Sequence, residues 1–269
     1  MESRAAEIDY ITKNKESWNQ RTIFHINSEF YDMPGFLQGK TSLNSIELEL
    51  LGDLKGKSVL HLQCHFGQDS LSLARMGAKV TGVDLSDQAI EKARELNNRL
   101  GLDAEFICCD IYDLPEYLTG KFDLIYTSYG AIVWLPDMNR WAGLISGYLK
   151  KGGEFVMAEF HPALWMFDPS FNAIQYSYFN AGPVCETETG TYADRNAALK
   201  IETITWNHSL GEVLGSLLNQ GLQIIKFSEF DYSPYNCISG TEKIAERKYR
   251  IRRLGSKIPM VYSLLCKKD

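Results

Sequence analysis

The 269-residue chain lacks the marks of several protein classes. Its six cysteines, Cys64, Cys108, Cys109, Cys185, Cys237 and Cys266, include no CxxC pair and no regular spacing, so neither a zinc site nor a disulfide framework is expected. Cys64, Cys108 and Cys266 sit in apolar, strand-like runs and read as buried thiols of a reducing compartment. No run approaches the ~18 apolar residues of a membrane span. The amino-terminal MESRAAEIDYITKNKESW carries charge throughout and has no apolar stretch able to serve as a secretory signal, which makes cytoplasmic residence the simplest expectation. Positive charge is also scarce: the formal net charge of −6 argues against affinity built on neutralising phosphates. One basic cluster, Arg247, Lys248, Arg250, Arg252 and Arg253, reads as a solvated helix face, with an anionic ligand or acidic partner as the alternative. Internal repeats and low-complexity tracts are absent as well.

What the chain does have is apolar material for a full core. With 45% hydrophobic and 23% charged residues it fits one large α/β domain, or one domain with an elaboration. Mixed polar and apolar spacing predicts helices from about Ser3 to Asn19 and from Asn44, a capping residue, to Leu51. Between them lies an irregular aromatic segment, His25, Phe30, Tyr31, Pro34, Gly35 and Phe36, with the chemistry of a loop or lid. From about Lys57 the short apolar runs SVLHL, AKVTGVD, AEFICCD, FDLIYTS and GEFVMAEF alternate with helical stretches over Asp69 to Met76, Asp87 to Leu100 and Leu135 to Leu149. That alternation predicts βα units on a parallel sheet. Ser86 is placed to cap the second of these helices and Gly101 to stop it. After Phe160 the alternation lapses for some forty residues, which predicts a β-rich insertion. It resumes with a helix from about Ser209 to Gln220 and the strands LQIIKFSEF and MVYSLLCKK, an expected antiparallel pair. The expected division is a helical lid segment over 1–55 and an α/β domain over 56–269, with the insertion at about 162–206.

The chemistry concentrates around SVLHLQCHFGQDSLSLARMGAKVTGVD, Ser58 to Asp84, which reads as strand, tight loop, helix and a strand ending in an acid. In a doubly wound sheet nucleotides bind at the carboxyl ends of the strands, near the switch in strand order, and the loop from Gln63 to Gln68 falls there. Asp84 can accept hydrogen bonds from both ribose hydroxyls of an adenosine group. Helix capping is its competing role, and Ser86 is available for that. Asp110, after EFICC, can accept from an adenine amino group while Ile111 adds a backbone and an apolar contact, although a strand-terminal Asp is also a common turn residue.

These pieces, in this order, resemble the class I S-adenosylmethionine-dependent methyltransferases over about Gly56 to Phe160. The loop HLQCHFG, with SYGAIVWLPD, EFHP and WNHSLGE, is similar to a bacterial small-molecule branch of that family. The resemblance implies a Rossmann-like, doubly wound, mostly parallel seven-stranded sheet with an antiparallel carboxyl-terminal strand. It implies S-adenosyl-L-methionine as cofactor, held by Gln63, His65, Gly67, Asp84, Leu85, Asp110, Ile111 and Ser128. The family's loop is acidic-x-Gly-x-Gly-x-Gly, and here His61, Gln63, His65 and Gly67 occupy the acid and glycine positions, so only the last glycine remains. Side chains at positions 63 and 65 are tolerable if φ there is negative. Gln63 can then exchange hydrogen bonds with the methionine end of the cofactor. Tyr31 and Trp134 are expected to touch substrate, Trp134 being equally an anchor of the next helix.

His161, in EFHP at the carboxyl end of the fifth strand, is the first candidate for a general base, because a neutral imidazole takes a proton near neutral pH. Fixing the insertion by hydrogen bonding is its alternative role. His65, His25 and His208 are lesser candidates. Methyl transfer from a sulfonium proceeds by alignment and desolvation, and needs a base only where the acceptor is still protonated. The function expected is methyl transfer to a small, partly apolar acceptor. The expected partners are that small molecule and, at most, a second copy of the chain as a homodimer; no nucleic acid, membrane or metal is expected. The rival readings are a non-catalytic S-adenosylmethionine-binding or regulatory protein and an NAD-dependent oxidoreductase. The latter requires a GxGxxG loop that HLQCHFG does not supply.

Overall fold

The computed structural model describes residues 9–269, so the Ser3 to Ile8 part of the first expected helix lies outside the described residues. Seven helices are α1 (Tyr10–His25), α2 (Met33–Leu37), α3 (Ser45–Leu51), α4 (Gln68–Arg75), α5 (Asp87–Leu100), α6 (Met138–Tyr148) and α7 (Leu210–Asn219). Eleven strands are β1 (Ser58–Leu62), β2 (Lys79–Asp84), β3 (Glu105–Cys108), β4 (Phe122–Thr127), β5 (Leu149–Phe160), β6 (Val184–Thr189), β7 (Lys200–Thr205), β8 (Leu222–Phe230), β9 (Thr241–Ala245), β10 (Lys248–Ile251) and β11 (Val261–Lys268).

Seven strands form one sheet in the order β3-β2-β1-β4-β5-β11-β8. The first five run parallel, and β11 lies antiparallel between β5 and β8. Strand order reverses at β1, with β2 on one side and β4 on the other, which opens the crevice expected of a doubly wound sheet at their carboxyl ends. Near-continuous burial along β1, β2 and β4 reflects a sheet covered on both faces. One face packs Trp141 and Ile145 of α6 and Val213 and Leu217 of α7 against Phe155 and Leu264. The other packs Leu50, Leu51, Leu71, Leu73 and Ala93 of α3, α4 and α5 against Val59, Val80, Phe106 and Tyr126.

The helix boundaries follow capping chemistry. The Ser86 hydroxyl accepts from the Ala89 amide at 3.0 Å, and Gly101 ends α5 in a left-handed turn at φ 63°. Glu47 closes a capping box at the start of α3 by accepting from the Asn44 amide at 2.6 Å.

The segment after β5 carries the β6–β7 hairpin, which packs against α1. Asn14 pairs with both the amide and the carbonyl of Ile204 (3.0 and 2.8 Å), extending the edge of β7, and Arg21 meets Glu188 of β6 at 2.9 Å. α1 runs on to His25, further than its polar pattern suggested, because this hairpin and α5 hold it from two sides. The basic cluster is not a helix face. It lies on and beside the β9–β10 hairpin, where Arg250 meets Asp231, Arg252 meets Glu242 and Lys248 lies over the Tyr232 ring. Alternation of charge with Tyr249 and Ile251 over so few residues fits a two-residue period, which a charge count alone cannot separate from a helical one. No helix among the described residues is long and apolar enough to cross a membrane, and the cysteines are free thiols.

Candidate functional site

The loop between β1 and α4 keeps the backbone of a glycine loop without its glycines. Gln63 and His65 stand at φ 56° and 50°, in the left-handed region, and Gly67 at φ 78°. The expectation of negative φ at the two substituted positions is therefore corrected: the turn geometry is retained, at roughly 1–2 kcal/mol of strain per residue. Only Gly67 has no room for a side chain, since a Cβ there would sit 2.8 Å from the Phe106 ring and 3.0 Å from Ala93. This explains why the last glycine alone persists. The strain at the other two positions is offset by contacts. The Gln63 amide nitrogen donates to the Ala131 carbonyl at 2.8 Å, tying this loop to the one after β4. The His65 ring meets His25 of α1 with 3.0 Å between Nε2 and Nδ1. His61, in place of the usual acid, is buried beneath the loop with Nδ1 2.8 Å from the Ser70 hydroxyl, so it braces α4.

Asp84 ends β2 beside this loop. Its carboxylate accepts from the His65 amide at 2.8 Å and the Ser86 amide at 2.9 Å, which leaves lone pairs on both oxygens toward the crevice. Burial pushes its pKa up to about 6 against those amides. Asp110 follows β3, half-buried, and accepts from the Tyr112 amide at 2.8 Å; Leu85 and Ile111 flank these acids, half-buried and buried. Ser128 and Gly130 follow β4. That loop is pinned by Glu159, a fully buried residue at the end of β5 whose carboxylate accepts from Gly130, Ala131 (2.8 Å) and Ile132 (3.2 Å) amides. β1, β2, β3 and β4 thus bring Gln63, His65, Gly67, Asp84, Leu85, Asp110, Ile111 and Ser128 to the carboxyl edge of the sheet.

Above this edge lies α1. Asn19 accepts from the Ser86 hydroxyl at 2.6 Å and donates to Asp87 at 3.0 Å, holding α1 to the start of α5. Trp18 packs edge-on against His65 (5.1 Å) and Trp134 (5.2 Å), so Trp134 serves the contact with α1. Tyr31 stacks near His25 at 5.4 Å, and its hydroxyl lies 2.5 Å from that of Tyr192, in the segment between β6 and β7. Burial holds His25 and His65 neutral, lowering their pKa values to about 2 and about 3.

His161 directly follows β5. Its Nδ1 accepts from the Ala163 amide at 3.1 Å, and its Nε2 lies 2.9 Å from a carboxylate oxygen of Glu229 of β8. These contacts fit its alternative role, fixing the segment after β5 by hydrogen bonding. His208 Nε2 lies 2.7 Å from the Leu135 carbonyl, and its Nδ1 lies 3.1 Å from a Glu212 oxygen. Asn19 and Arg21 escaped the reading of the sequence, and Glu159 was given no role there. Glu159 carried a signal in its place beside His161 at a strand end, whereas Asn19 sits on a helix whose partner only the fold supplies. An open depression of about 600 Å³ lies elsewhere, between Leu118 and Gly147 toward the amino ends of β4 and β5. No group of three or more His, Cys, Asp or Glu side chains able to hold a metal occurs among the described residues.

Strand order and the acids at the ends of β2 and β3 define a class: a doubly wound domain with a nucleoside crevice. A family model described as a methyltransferase domain matches residues 59–153. An uncharacterized methyltransferase of Synechocystis is 32% identical over 164 residues, covering 58% of this chain and 74% of that relative. The ubiquinone biosynthesis O-methyltransferase of Bordetella avium is 30% identical over 105 residues, covering 39% of this chain and 43% of that relative, so the chain spans less than half of the latter's length. The same fold appears in an S-adenosylmethionine-dependent methyltransferase structure from Mesorhizobium loti, with TM-score 0.58, 20% identity and coverage of 86% of this chain and 100% of that one. The chain belongs to the class I S-adenosylmethionine-dependent methyltransferases, and S-adenosyl-L-methionine is its cofactor.

Proposed function

We propose that the chain transfers a methyl group to a small-molecule acceptor enclosed between the sheet edge, α1 and the β6–β7 hairpin. The observation that carries this reading is a set of buried polar atoms without partners along that edge: Gln63 Oε1, His65 Nδ1 and Thr127 Oγ1. Buried polar groups left unpaired cost about 1–3 kcal/mol each, so a cluster of them beside Asp84 favours a polar ligand. The residues fit the cofactor. Asp84 would take the ribose hydroxyls and Asp110 with Ile111 the adenine; Gln63 Oε1 would accept from the methionine ammonium, near Ser128. When bound, the cofactor supplies an electrophilic methyl group on a sulfonium. The chain's own part is alignment and exclusion of water by Trp18, Trp134, Tyr31 and Tyr192. The aromatic enclosure and the small-molecule chemistry named for relatives such as the ubiquinone enzyme support a small acceptor. A thermal-shift comparison tests the reading. S-adenosylhomocysteine should raise the unfolding midpoint and NADH should leave it unchanged; stabilisation by NADH alone would return the oxidoreductase reading.

A further inference from the structure

Three of the parallel crossovers carry an α-helix: α4 joins β1 to β2, α5 joins β2 to β3 and α6 joins β4 to β5. The fourth, from β3 to β4, has only the short 3₁₀ helix Ile111–Glu116. The flank of α6 that faces this connection is left open, and the depression of about 600 Å³ lies there. That volume is in the range of small-molecule sites, which are mostly apolar with a few polar groups. Leu118, Leu144 and the Tyr112 ring give it apolar walls, and Gly143 and Gly147 of α6 line it one turn apart. Packing does not dictate either glycine. A Cβ at Gly147 would meet nothing within 4 Å, and one at Gly143 would meet only Gln220, at an ordinary 3.8 Å. Glycine weakens a helix relative to alanine, yet any side chain here would narrow the depression.

The charged residues that line the depression are both cations, Arg140 and Lys121. Lys121 donates to the Gly147 carbonyl. Arg140, two turns earlier on α6 and so roughly 10 Å away along the helix, lies over the Tyr112 ring at 4.3 Å. Its guanidinium makes no ion pair or hydrogen bond among the described residues. Stacking on the ring orients it and leaves its edge donors for a two-point grip on a carboxylate. Tyr112 in turn is wired to the cofactor crevice: its amide donates to the Asp110 carboxylate at 2.8 Å, and its hydroxyl donates at 2.7 Å to the carbonyl of Asp137, the cap of α6. Burial raises the Asp110 pKa, and the charge of Arg140 works against that.

We propose that this depression is a second small-molecule site, outside the cofactor crevice, for an apolar carboxylic acid in its anionic form, and that its occupancy weakens cofactor binding. The carboxylate sits on Arg140, and the apolar body lies along Gly143 and Gly147 between Leu118 and Leu144. The coupling, which rests on Asp110 as the acceptor for adenine, has two routes. An anion on Arg140 screens the charge that favours the Asp110 carboxylate, and a ligand against Tyr112 bears on a residue held by Asp110 and by the cap of α6 at once. The charge complementarity selects an acid over a neutral ligand of the same shape, because the lining holds two cations and no carboxylate.

Calorimetric titration of the chain with octanoate and 2-naphthoate, against octanamide and 2-naphthamide, tests the site. At least one acid should bind saturably, about tenfold more tightly than its amide, and Arg140→Gln should remove that preference. Gly147→Leu, which fills the depression from an exposed helix position, should abolish binding while leaving the thermal midpoint unchanged or higher. With that acid at saturation, S-adenosylhomocysteine should bind the natural chain about fivefold more weakly, and Arg140→Gln as tightly as without it. No saturable acid binding, equal binding of acid and amide, or an unaffected Gly147→Leu overturns the site. An unchanged S-adenosylhomocysteine affinity with the acid bound overturns the coupling. Failure of S-adenosylhomocysteine to bind even without the acid would instead overturn the cofactor reading on which the coupling rests, since acid binding is measured in its absence.

Discussion

Gln63 and His65 hold glycine-like backbone angles because each side chain is tied to a neighbouring element, and that makes the strain measurable. Gln63→Ala and Gln63→Gly both lose the bond to Ala131, but only glycine relaxes at φ 56°. The glycine variant should be more stable than the alanine variant by about 1 kcal/mol in urea unfolding; equal stabilities would mean that the left-handed turn is not populated. Gly67→Ala meets both the φ penalty and the Phe106 wall, and should cost about 2–5 kcal/mol by the same measurement. The position of this loop was legible in the sequence from the strand before it and Asp84 after it. Its backbone was not, because a non-glycine residue gives no local sign of positive φ when tertiary contacts impose it.

Among elements, α1 joins two parts that sequence separates, the start of α5 through Asn19 and the β6–β7 hairpin through Asn14 and Arg21. Asn19→Ala removes its bonds to Ser86 and Asp87. Amide exchange over 10–25 should then rise about tenfold, as loss of about 1.4 kcal/mol of local stability requires, with α6 unchanged. Unchanged exchange in α1 would place its attachment in the hairpin alone. The sheet strands and α5 were readable because period, caps and apolar runs agree locally. Two assignments depend on distant contacts that the local sequence does not show. For His161 the sequence left two roles open, and the neighbour that bears on the choice, Glu229 of β8, comes 68 residues later in the chain. The basic cluster looked helical because pairing with β9 does not show in its own residues.

Across the whole molecule, buried titratable groups pull stability in opposite directions. His25, His61 and His65, lowered to between about 2 and about 3 from an ordinary 6.5, bind protons only when unfolded, so they cost stability as pH falls below 6.5. Glu47 and Glu159, raised to about 7 from 4.5, hold protons in the fold that the unfolded chain has released, so they cost stability as pH rises from about 4.5 to 7. Asp84, raised to about 6 from 3.8, acts in the same direction as the glutamates, so the carboxyls oppose the histidines down to about pH 3.8 and the histidines prevail below. Thermal midpoints should therefore fall steeply only below about pH 4. Removing one opposing carboxyl isolates its share: the stability deficit of Glu47→Gln relative to the natural chain should shrink as pH rises from 4.5 to 7, by up to about 1.4 kcal/mol per unit. A deficit constant with pH would mean that Glu47 titrates alike in both states.

The central claim is that a loop nearly stripped of glycine, with Asp84 beside it, still forms the cofactor crevice. Calorimetric titration of S-adenosylhomocysteine into the natural chain and into Asp84→Asn tests it most directly, since asparagine matches the shape, keeps an acceptor for one of the two amides that Asp84 holds, and loses the charge. The expected result is one saturable site, weakened at least tenfold by the substitution, as loss of a charge-assisted hydrogen bond of about 1.5–3 kcal/mol requires. Equal affinity in the two proteins, or no binding to the natural chain at millimolar ligand, would contradict it.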